Sequence, residues 1–304
     1  MKKTIIAISI LWAIGAQGQI MHVTSVEPLD ISRNDGSVTQ AVAISPQGDY
    51  LLLSTDTKHG LVKWDFATHT ATTVTNDEGA GADVRISDDG RQIVYDQVSY
   101  KDRRRQHAVK SVDLVNGKQQ TLVKATRKQQ GFDVDHGMVV TVTDGQVKKH
   151  TLIKGANQSV SRPALTRHHL KLYITRDNQT TMLAPNGENE RYIWASLSPN
   201  GSRVLYYVSG RGTFVCDTDG NNVIPMGDLT APKWWDNSTI VGMSETDNEY
   251  TVIASSIVAR TLDGQQQVLT GSDVIATYPL PSPESGKIAF STPDGKIYLI
   301  TVED

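Results

Sequence analysis

Eight side chains of this sequence have types that could bind or transform a ligand if the fold brings them together. Two are carboxylates, three are cations and three are aromatic: Asp83, Asp133, Arg85, Arg162, Lys233, Trp194, Trp234 and Tyr278. Carboxylates and cations form charge-assisted hydrogen bonds, and exposed aromatic rings stack on sugars and on peptide side chains. The set could therefore hold a peptide or a glycan. An acid, a base and a charge-stabilising group at Asp83, Asp133 and Arg162 would instead suit a lyase or hydrolase.

No local motif of the sequence specifies a reaction. Residues 208–212 resemble the nucleophile elbow of serine hydrolases only superficially, because the first glycine is missing. The partial calcium-loop matches at residues 133–135 and 217–220 are interpreted as turns. His168 and His169 are adjacent, so in a strand they would face opposite sides and could not share one ion. We therefore expect no metal and no cofactor.

Short strands in a repeated pattern must position these side chains. Four stretches are similar to one another, each with a turn of the form Ser-Pro/Asp-x-Gly followed by an apolar run: residues 41–48, 82–90, 194–201 and 280–286. A recurrence of roughly 40 residues is typical of β-propeller blades. Turn chemistry alone explains Asp89, Asn200 and Glu284, since Asp and Asn side chains accept backbone N–H groups.

The spacing of these turns predicts an all-β propeller with seven blades, six being the alternative. The interval from Gly137 to Gly201 is too long for one blade and suits two short ones, with the missing turn at residues 167–169. Blades are expected to begin near residues 39, 81, 130, 160, 192, 230 and 275.

The two ends of the chain are expected to meet. The segment 278–302 holds only three strand patterns, and a blade without its outer strand has an unpaired edge. The segment 22–26 is a suitable strand. We predict that this N-terminal strand completes the C-terminal blade, within a single domain spanning residues 19–304.

The first 18 residues have the pattern of a cleaved signal peptide. Lys2 and Lys3 precede an apolar run over residues 4–14, which is too short to span a bilayer, and small residues follow at Ala16 and Gly18. With no cysteine near the cleavage point, we expect an exported protein of the periplasm or cell surface without a lipid anchor or membrane insertion. The single cysteine, Cys216, is expected to be a buried small hydrophobic residue.

Charge excludes some partners. The 304 residues have a formal net charge of −3, whereas proteins that bind nucleic acid or anionic membranes carry an excess of Lys and Arg. The densest basic run, residues 101–105, is interpreted as a solvated hairpin tip. Nucleic acid is therefore not an expected partner.

Together, the turn, the apolar strand and a third strand ending in Asp resemble the WD-repeat-like units of TolB-like propellers. The third-strand ends are Asp65, Asp113 and Asp217, and tight turns follow at residues 116–117 and 219–220. This resemblance covers essentially the whole mature chain. It implies an exported bacterial β-propeller that binds proteins or small molecules.

Alignment of the repeats places the eight side chains at the channel mouth, where the innermost strands begin. The leading hypothesis is a monomeric, non-catalytic module that binds a protein, peptide or glycan there. An enzyme at the mouth and a structural subunit with an exposed apolar rim are the alternatives. A further possibility is that the Trp residues pack between blades while the charges pair across the channel.

Overall fold

The structure is a computed structural model, and it describes residues 19–31, 39–152, 162–248 and 251–303. The expected signal peptide lies outside these residues. Apart from one 3-10 turn at Pro283–Ser285, the described elements are all strands. No helix in the described ranges is long and apolar enough to cross a membrane.

The strands form seven antiparallel sheets, and each sheet is one blade. The strand β1 (His22–Pro28) precedes the first blade. Blade 1 contains β2 (Thr39–Ile44), β3 (Tyr50–Thr55), β4 (Leu61–Asp65) and β5 (Ala71–Thr75). Blade 2 contains β6 (Val84–Ile86), β7 (Gln92–Lys101), β8 (Arg104–Asp113) and β9 (Gln119–Thr126).

Blades 3 and 4 have three described strands each. Blade 3 contains β10 (Gln129–Asp135), β11 (Met138–Thr143) and β12 (Gln146–Thr151). Blade 4 contains β13 (Ala164–His168), β14 (Lys171–Arg176) and β15 (Gln179–Leu183). The prediction that the long interval before Gly201 holds two short blades, with a turn near residues 167–169, is confirmed.

Three further blades complete the molecule. Blade 5 contains β16 (Tyr192–Leu197), β17 (Arg203–Val208), β18 (Gly212–Asp217) and β19 (Ile224–Pro225). Blade 6 contains β20 (Thr230–Trp234), β21 (Thr239–Asp247), β22 (Val252–Thr261) and β23 (Gln266–Val268). Blade 7 contains β24 (Thr277–Ser282), β25 (Lys287–Ser291) and β26 (Ile297–Glu303), with β1 as its fourth strand. The prediction of a seven-bladed all-β propeller is confirmed.

Strand β1 lies antiparallel to β26 at the outer edge of blade 7, with His22 opposite Glu303 and Pro28 opposite Tyr298. Blade 7 in turn packs on blade 1. Leu280 and Ala289 share an apolar cluster with Leu51 and other residues of blade 1. The last blade therefore contacts the first, and the sheets form a ring.

Apolar clusters between neighbouring blades form the core. The second strand of a blade is covered on both faces, so it is a continuous apolar run rather than an alternating one. Residues 51–53 in β3 and residues 93–95 in β7 are almost completely buried. The wedge of side chains between blades is what holds each sheet at its angle to the next.

The repeated turns lie at the lower face, which is defined here as the face where β2, β6, β10, β16, β20 and β24 end. The Oγ of Ser45 accepts hydrogen bonds from the backbone N–H groups of Asp49 and Tyr50. In the equivalent turns Asp89 accepts from the N–H of Arg91, and Asn200 accepts from that of Ser202. The prediction that Asp89 and Asn200 are turn residues is confirmed, and Glu284 lies in the 3-10 turn.

The innermost strand of blade 4 runs opposite to its neighbours. The N–H of Leu165 donates to Asp133 Oδ2 over 3.1 Å, and Arg162 Nε donates to Asp135 Oδ1 over 2.6 Å, so β13 is antiparallel to β10. Strand β12 ends at the lower face, because Thr151 pairs with Met138. The chain therefore enters blade 4 from below, and its first turn lies at the upper face.

Candidate functional site in the central channel

A cavity of about 380 Å³ lies at the centre of the ring, and the innermost strands of all seven blades line it. It extends from the middle of the channel toward Pro46 and Asp88 at the lower face. Five of the eight predicted side chains line it, namely Arg85, Asp133, Arg162, Lys233 and Trp234. The other three, Asp83, Trp194 and Tyr278, are not part of this lining.

Arg85 is held beside the cavity by Asp83. Its Nη1 donates to Asp83 Oδ1 over 2.7 Å and to the carbonyl oxygen of Val84 over 3.1 Å. The two side chains are 42% and 44% exposed, so solvent screens the ion pair and its contribution to stability is small. The pair orients a cation at the channel wall.

Asp133 is placed in the channel by backbone groups rather than by a side-chain partner. Its carboxylate accepts hydrogen bonds from the N–H groups of Val134, over 2.9 Å, and Leu165. Burial raises the pKa of Asp133, and the nearby charges of Arg162 and Arg85 oppose that shift only in part. A carboxyl group with a raised pKa in a cleft is a common feature of functional sites.

Lys233 is the cation of the cavity that is left free. Within the described parts of the chain its Nζ has neither a hydrogen bond nor an ion pair, although the side chain retains some contact with solvent. Burial lowers the pKa of Lys233 to about 8; the positive charge of Arg85 adds to this shift, and Asp83 opposes it. The ammonium group is therefore available for an anionic group of a ligand.

Arg162 lies at the lower end of the channel, not at the upper mouth where the alignment of the repeats predicts it. The reversed direction of β13 is the cause, because the start of this strand lies below. Its Nη2 also donates to the carbonyl oxygen of Val134 over 2.8 Å. Together with the bond to Asp135, whose side chain is only 7% exposed, this contact links blades 3 and 4.

One group of three side chains in the described residues could hold a metal ion, namely Asp88, Asp135 and His136, whose ligand atoms lie within 4.8 Å of one another. The Oδ2 of Asp135 is buried without a hydrogen-bond partner. Its other oxygen, however, already accepts from Arg162 and lies 2.8 Å from His136 Nδ1. Because the guanidinium neutralises the most buried carboxylate, we assign no metal to this group.

The three predicted aromatic residues have different environments. Trp234 is 8% exposed and packs between blades 5 and 6, where its Nε1 donates to the carbonyl oxygen of Ser196 over 3.3 Å. Trp194 is half-buried, with its ring edge-on to Tyr207 at 5.2 Å between centroids. Tyr278 is 48% exposed. Trp194 also packs against an apolar cluster of the neighbouring blades 6 and 7, so packing between blades describes both Trp residues, whereas Tyr278 remains accessible.

Backbone strain recurs at one register position in blades 5, 6 and 7. Trp194, Ala231 and Tyr278 have φ values of 51°, 46° and 53°. Each is at a β-bulge between the first two strands of its blade. A bulge redirects the side chains around it, and positive φ is costly for bulky residues. These three residues belong to the innermost strands, where the candidate ligand-binding side chains lie.

His168 and His169 do not face opposite sides, as predicted for two residues of one strand, because only His168 belongs to β13. The two rings lie 3.8 Å apart, because His169 and Leu170 have positive φ in the turn after β13. Burial lowers the pKa of His168, and the neighbouring His169 and His107 add to the shift. His107 is itself bonded to Asp96, with 2.5 Å between Nδ1 and Oδ2.

Cys216 is 1% exposed in β18, and burial raises the pKa of its thiol to about 12. A thiol at this pKa is not ionised near neutral pH and is a poor nucleophile. The prediction of a buried small hydrophobic residue is confirmed.

No family model matches this chain, and no curated protein matches it. A TolB-like protein from Agrobacterium tumefaciens has a similar structure, with a TM-score of 0.53, 15% identity, and coverage of 88% of this chain and 91% of that one. An oligogalacturonate lyase in complex with manganese and another from Vibrio parahaemolyticus each have a TM-score of 0.48. They are 16% and 13% identical, and each comparison covers 86% of this chain and 76% of the lyase. At these identities the similarity concerns the fold alone. The TolB-like resemblance is confirmed at that level.

Proposed function

We propose that this protein is a non-catalytic, exported binding module that holds a protein, peptide or glycan ligand at its central channel. The observation that carries the proposal is the free ammonium group of Lys233 in a cavity that already contains Arg85. Arg85 and Lys233 line the cavity from opposite sides of the ring, and only Arg85 is paired, so the ammonium group of Lys233 suits an anionic group of the ligand. The exposed ring of Tyr278 would add a stacking contact at the upper mouth, beside the half-buried Trp194.

The contacts of the two candidate catalytic carboxylates favour binding over a lyase or hydrolase. Asp83 is paired with Arg85 and does not line the cavity. Asp133 accepts hydrogen bonds from two backbone N–H groups, so its oxygens are already oriented. The third group of that hypothesis, Arg162, is bound to Asp135. An acid–base pair needs at least one carboxyl group that is free to approach the substrate.

Export to the periplasm or cell surface is part of the proposal, and it rests on the residue pattern before Gln19. Mass spectrometry of the protein purified from a periplasmic extract tests it. We expect a mature chain that begins at Gln19. A chain retained in the cytoplasm with Met1 intact would contradict export.

The binding proposal is tested by immobilising the mature protein and passing an envelope extract of the source cells over it. A parallel column carries the Lys233→Ala variant, and a third carries Lys118→Ala, which removes an exposed lysine from a hairpin turn outside the channel. We expect one species, identified by mass spectrometry, to be retained by the wild type and by Lys118→Ala but not by Lys233→Ala.

Equal retention on all three columns would contradict a ligand site at Lys233.

The enzyme alternative is examined in the same preparation. Incubation with polygalacturonate should yield no unsaturated product above the level of a heat-denatured control. Steady product formation that is lost in the Asp133→Asn variant would replace the binding proposal with a catalytic one.

A further inference from the structure

Two hairpins extend beyond the upper face, on opposite sides of the ring. In blade 2, β7 and β8 have ten residues each, and β21 and β22 in blade 6 have nine and ten. The second strands of the other blades have five or six residues. The extra length lies above the level at which the innermost strands begin, since Tyr95 pairs with Val84 and Met243 pairs with Thr230.

The extension of blade 2, residues 98–107, is called here the basic arm. Its tip carries Lys101, Arg103, Arg104 and Arg105, all exposed, with a single carboxylate at Asp102. None of the four cations has an ion-pair partner in the described part of the chain. The protein as a whole has a net charge of −3, but the tip of this arm remains positive. Such a tip attracts anionic groups.

The extension of blade 6, residues 244–248 and 251–255, is called the acidic arm. It carries Glu245 and Asp247. Burial raises the pKa of Tyr207 most, and the negative charges of Glu245 and Asp228 raise it further. Tyr207 contacts Trp194. A carboxylate near an aromatic ring, as Glu245 is to Tyr207, forms a favourable environment for a Lys or Arg side chain, through ion pairing and cation–π contact.

This separation of charge restricts the partner. An anionic membrane lying across the upper face, or an acidic glycan reaching both arms, would be repelled by the acidic arm. A polycation would be repelled by the basic arm for the same reason. A partner that contacts both arms must carry both signs of charge, apart from each other. Blades 3, 4 and 5 separate the arms on one side and blades 7 and 1 on the other, so this partner crosses the channel mouth.

We infer that the upper face binds a polypeptide segment with separated charges, which places an acidic stretch on the basic arm and a Lys or Arg side chain at the acidic arm. The inference rests on the proposed binding function and narrows its ligand from protein, peptide or glycan to a polypeptide. It assigns the arms a role independent of Lys233.

The probe is a fluorescein-labelled peptide with four Glu residues, a Gly-Ser spacer of about 12 residues that can reach roughly 40 Å when extended, and four Lys residues. Its affinity for the full mature protein is measured by fluorescence anisotropy. Comparison ligands replace the Lys residues with Glu, or the Glu residues with Lys, and a fourth is labelled oligogalacturonate. We expect the peptide with both charges to bind at least about tenfold tighter than each of the others.

Charge reversal of the arms gives the decisive test. Two variants each reverse the charge of one arm, namely Arg103→Glu/Arg104→Glu/Arg105→Glu and Glu245→Lys/Asp247→Lys. Each should lose about tenfold in affinity for the mixed-charge peptide. Combining all five substitutions should restore the affinity, because the peptide can then bind in the opposite direction. A change of the same net charge at Lys118→Glu/Lys148→Glu/Lys149→Glu, outside both arms, should leave binding unchanged.

The inference is overturned if the arm variants bind as the wild type does, if the combined variant is not restored, or if oligogalacturonate binds as tightly as the mixed-charge peptide. The unfolding temperature of each variant is measured as a control, and a value equal to that of the wild type shows that the fold is intact. Failure here is distinguishable from failure of the binding proposal, since the envelope species retained through Lys233 would still be captured.

Discussion

The turns of the lower face and the interior of the channel are both polar, but their polar groups are satisfied differently. In the first turn of blade 1, Ser45 and Asp49 bond to each other and to the backbone within five residues. In the channel, neither Ser196 Oγ nor Lys233 Nζ has a hydrogen-bond partner among the described residues. Polar groups that are satisfied locally stabilise the fold, whereas the unsatisfied groups in the channel are the basis of the proposed binding site.

Arg162 lines the channel, but its polar groups are paired with blade 3, as those of the turns are paired locally. Its substitution has the largest expected effect on stability. The Arg162→Met substitution leaves the carboxylate of Asp135 buried without its guanidinium partner. Removing one partner of a buried ion pair typically costs about 3 kcal/mol or more. We expect a loss of that size in the free energy of unfolding, measured by urea denaturation.

The double variant Arg162→Met/Asp135→Asn is the control, because it removes the buried charge together with its partner. It should recover most of the lost stability. If Arg162→Met unfolds at the same urea concentration as the wild type, the link between blades 3 and 4 is not structural.

The same Ser-to-Ala substitution, made once in a turn and once in the channel, compares the two regions through a smaller change in stability. Ser45→Ala removes an oxygen that accepts from two backbone N–H groups, so the free energy of unfolding should fall by about 1 to 2 kcal/mol. Ser196→Ala removes a buried oxygen that has no partner among the described residues, so we expect no loss of stability and a gain of up to about 1 kcal/mol. Thermal denaturation of both variants checks this. A larger loss for Ser196→Ala than for Ser45→Ala would reverse the comparison.

The pH dependence of Lys233 gives the smallest expected effect. Because its pKa is about 8 instead of 10.5, the folded protein releases this proton between these pH values while the unfolded chain keeps it. The contribution of Lys233 to the free energy of unfolding therefore rises with pH in this window. The charged fraction falls about fivefold between pH 8 and pH 9, and so should the affinity for an anionic ligand.

The variant Lys233→Arg is the control for this titration, since a guanidinium stays charged throughout. Its ligand affinity, measured by calorimetry with the species retained from the envelope, should not change between pH 8 and pH 9. A wild-type affinity that stays constant over the same interval would mean that Lys233 does not contact the ligand.

The repeats predict most of this fold but not the direction of blade 4. Blades with a clear Ser-x-x-Gly turn begin where the alignment places them. The direction of β13 depends on the face from which the chain enters blade 4, and no turn motif of the sequence specifies that face. Arg162 is consequently at the lower end of the channel instead of the upper mouth.

The lining of the cavity was predictable where alignment of equivalent strands sufficed. Arg85 and Lys233 occupy matching positions, opposite Val94 and Val241 in their second strands, and both line the cavity. Ser196 is at the same position in blade 5, and only its missing hydrogen-bond partner distinguishes it. The burial of Trp234 between blades depends on packing of side chains from two blades, which a single repeat does not encode.

The most direct test of the binding account is the rate at which Lys233 is acetylated, followed by mass spectrometry from pH 6 to pH 10 with and without the ligand from the envelope column. We expect a midpoint near pH 8 in the free protein and at least about tenfold protection when the ligand is bound. Lys118, which lies outside the channel, should not be protected by the ligand. A midpoint for Lys233 well above pH 8, with no protection by the ligand, would contradict a binding site in the channel.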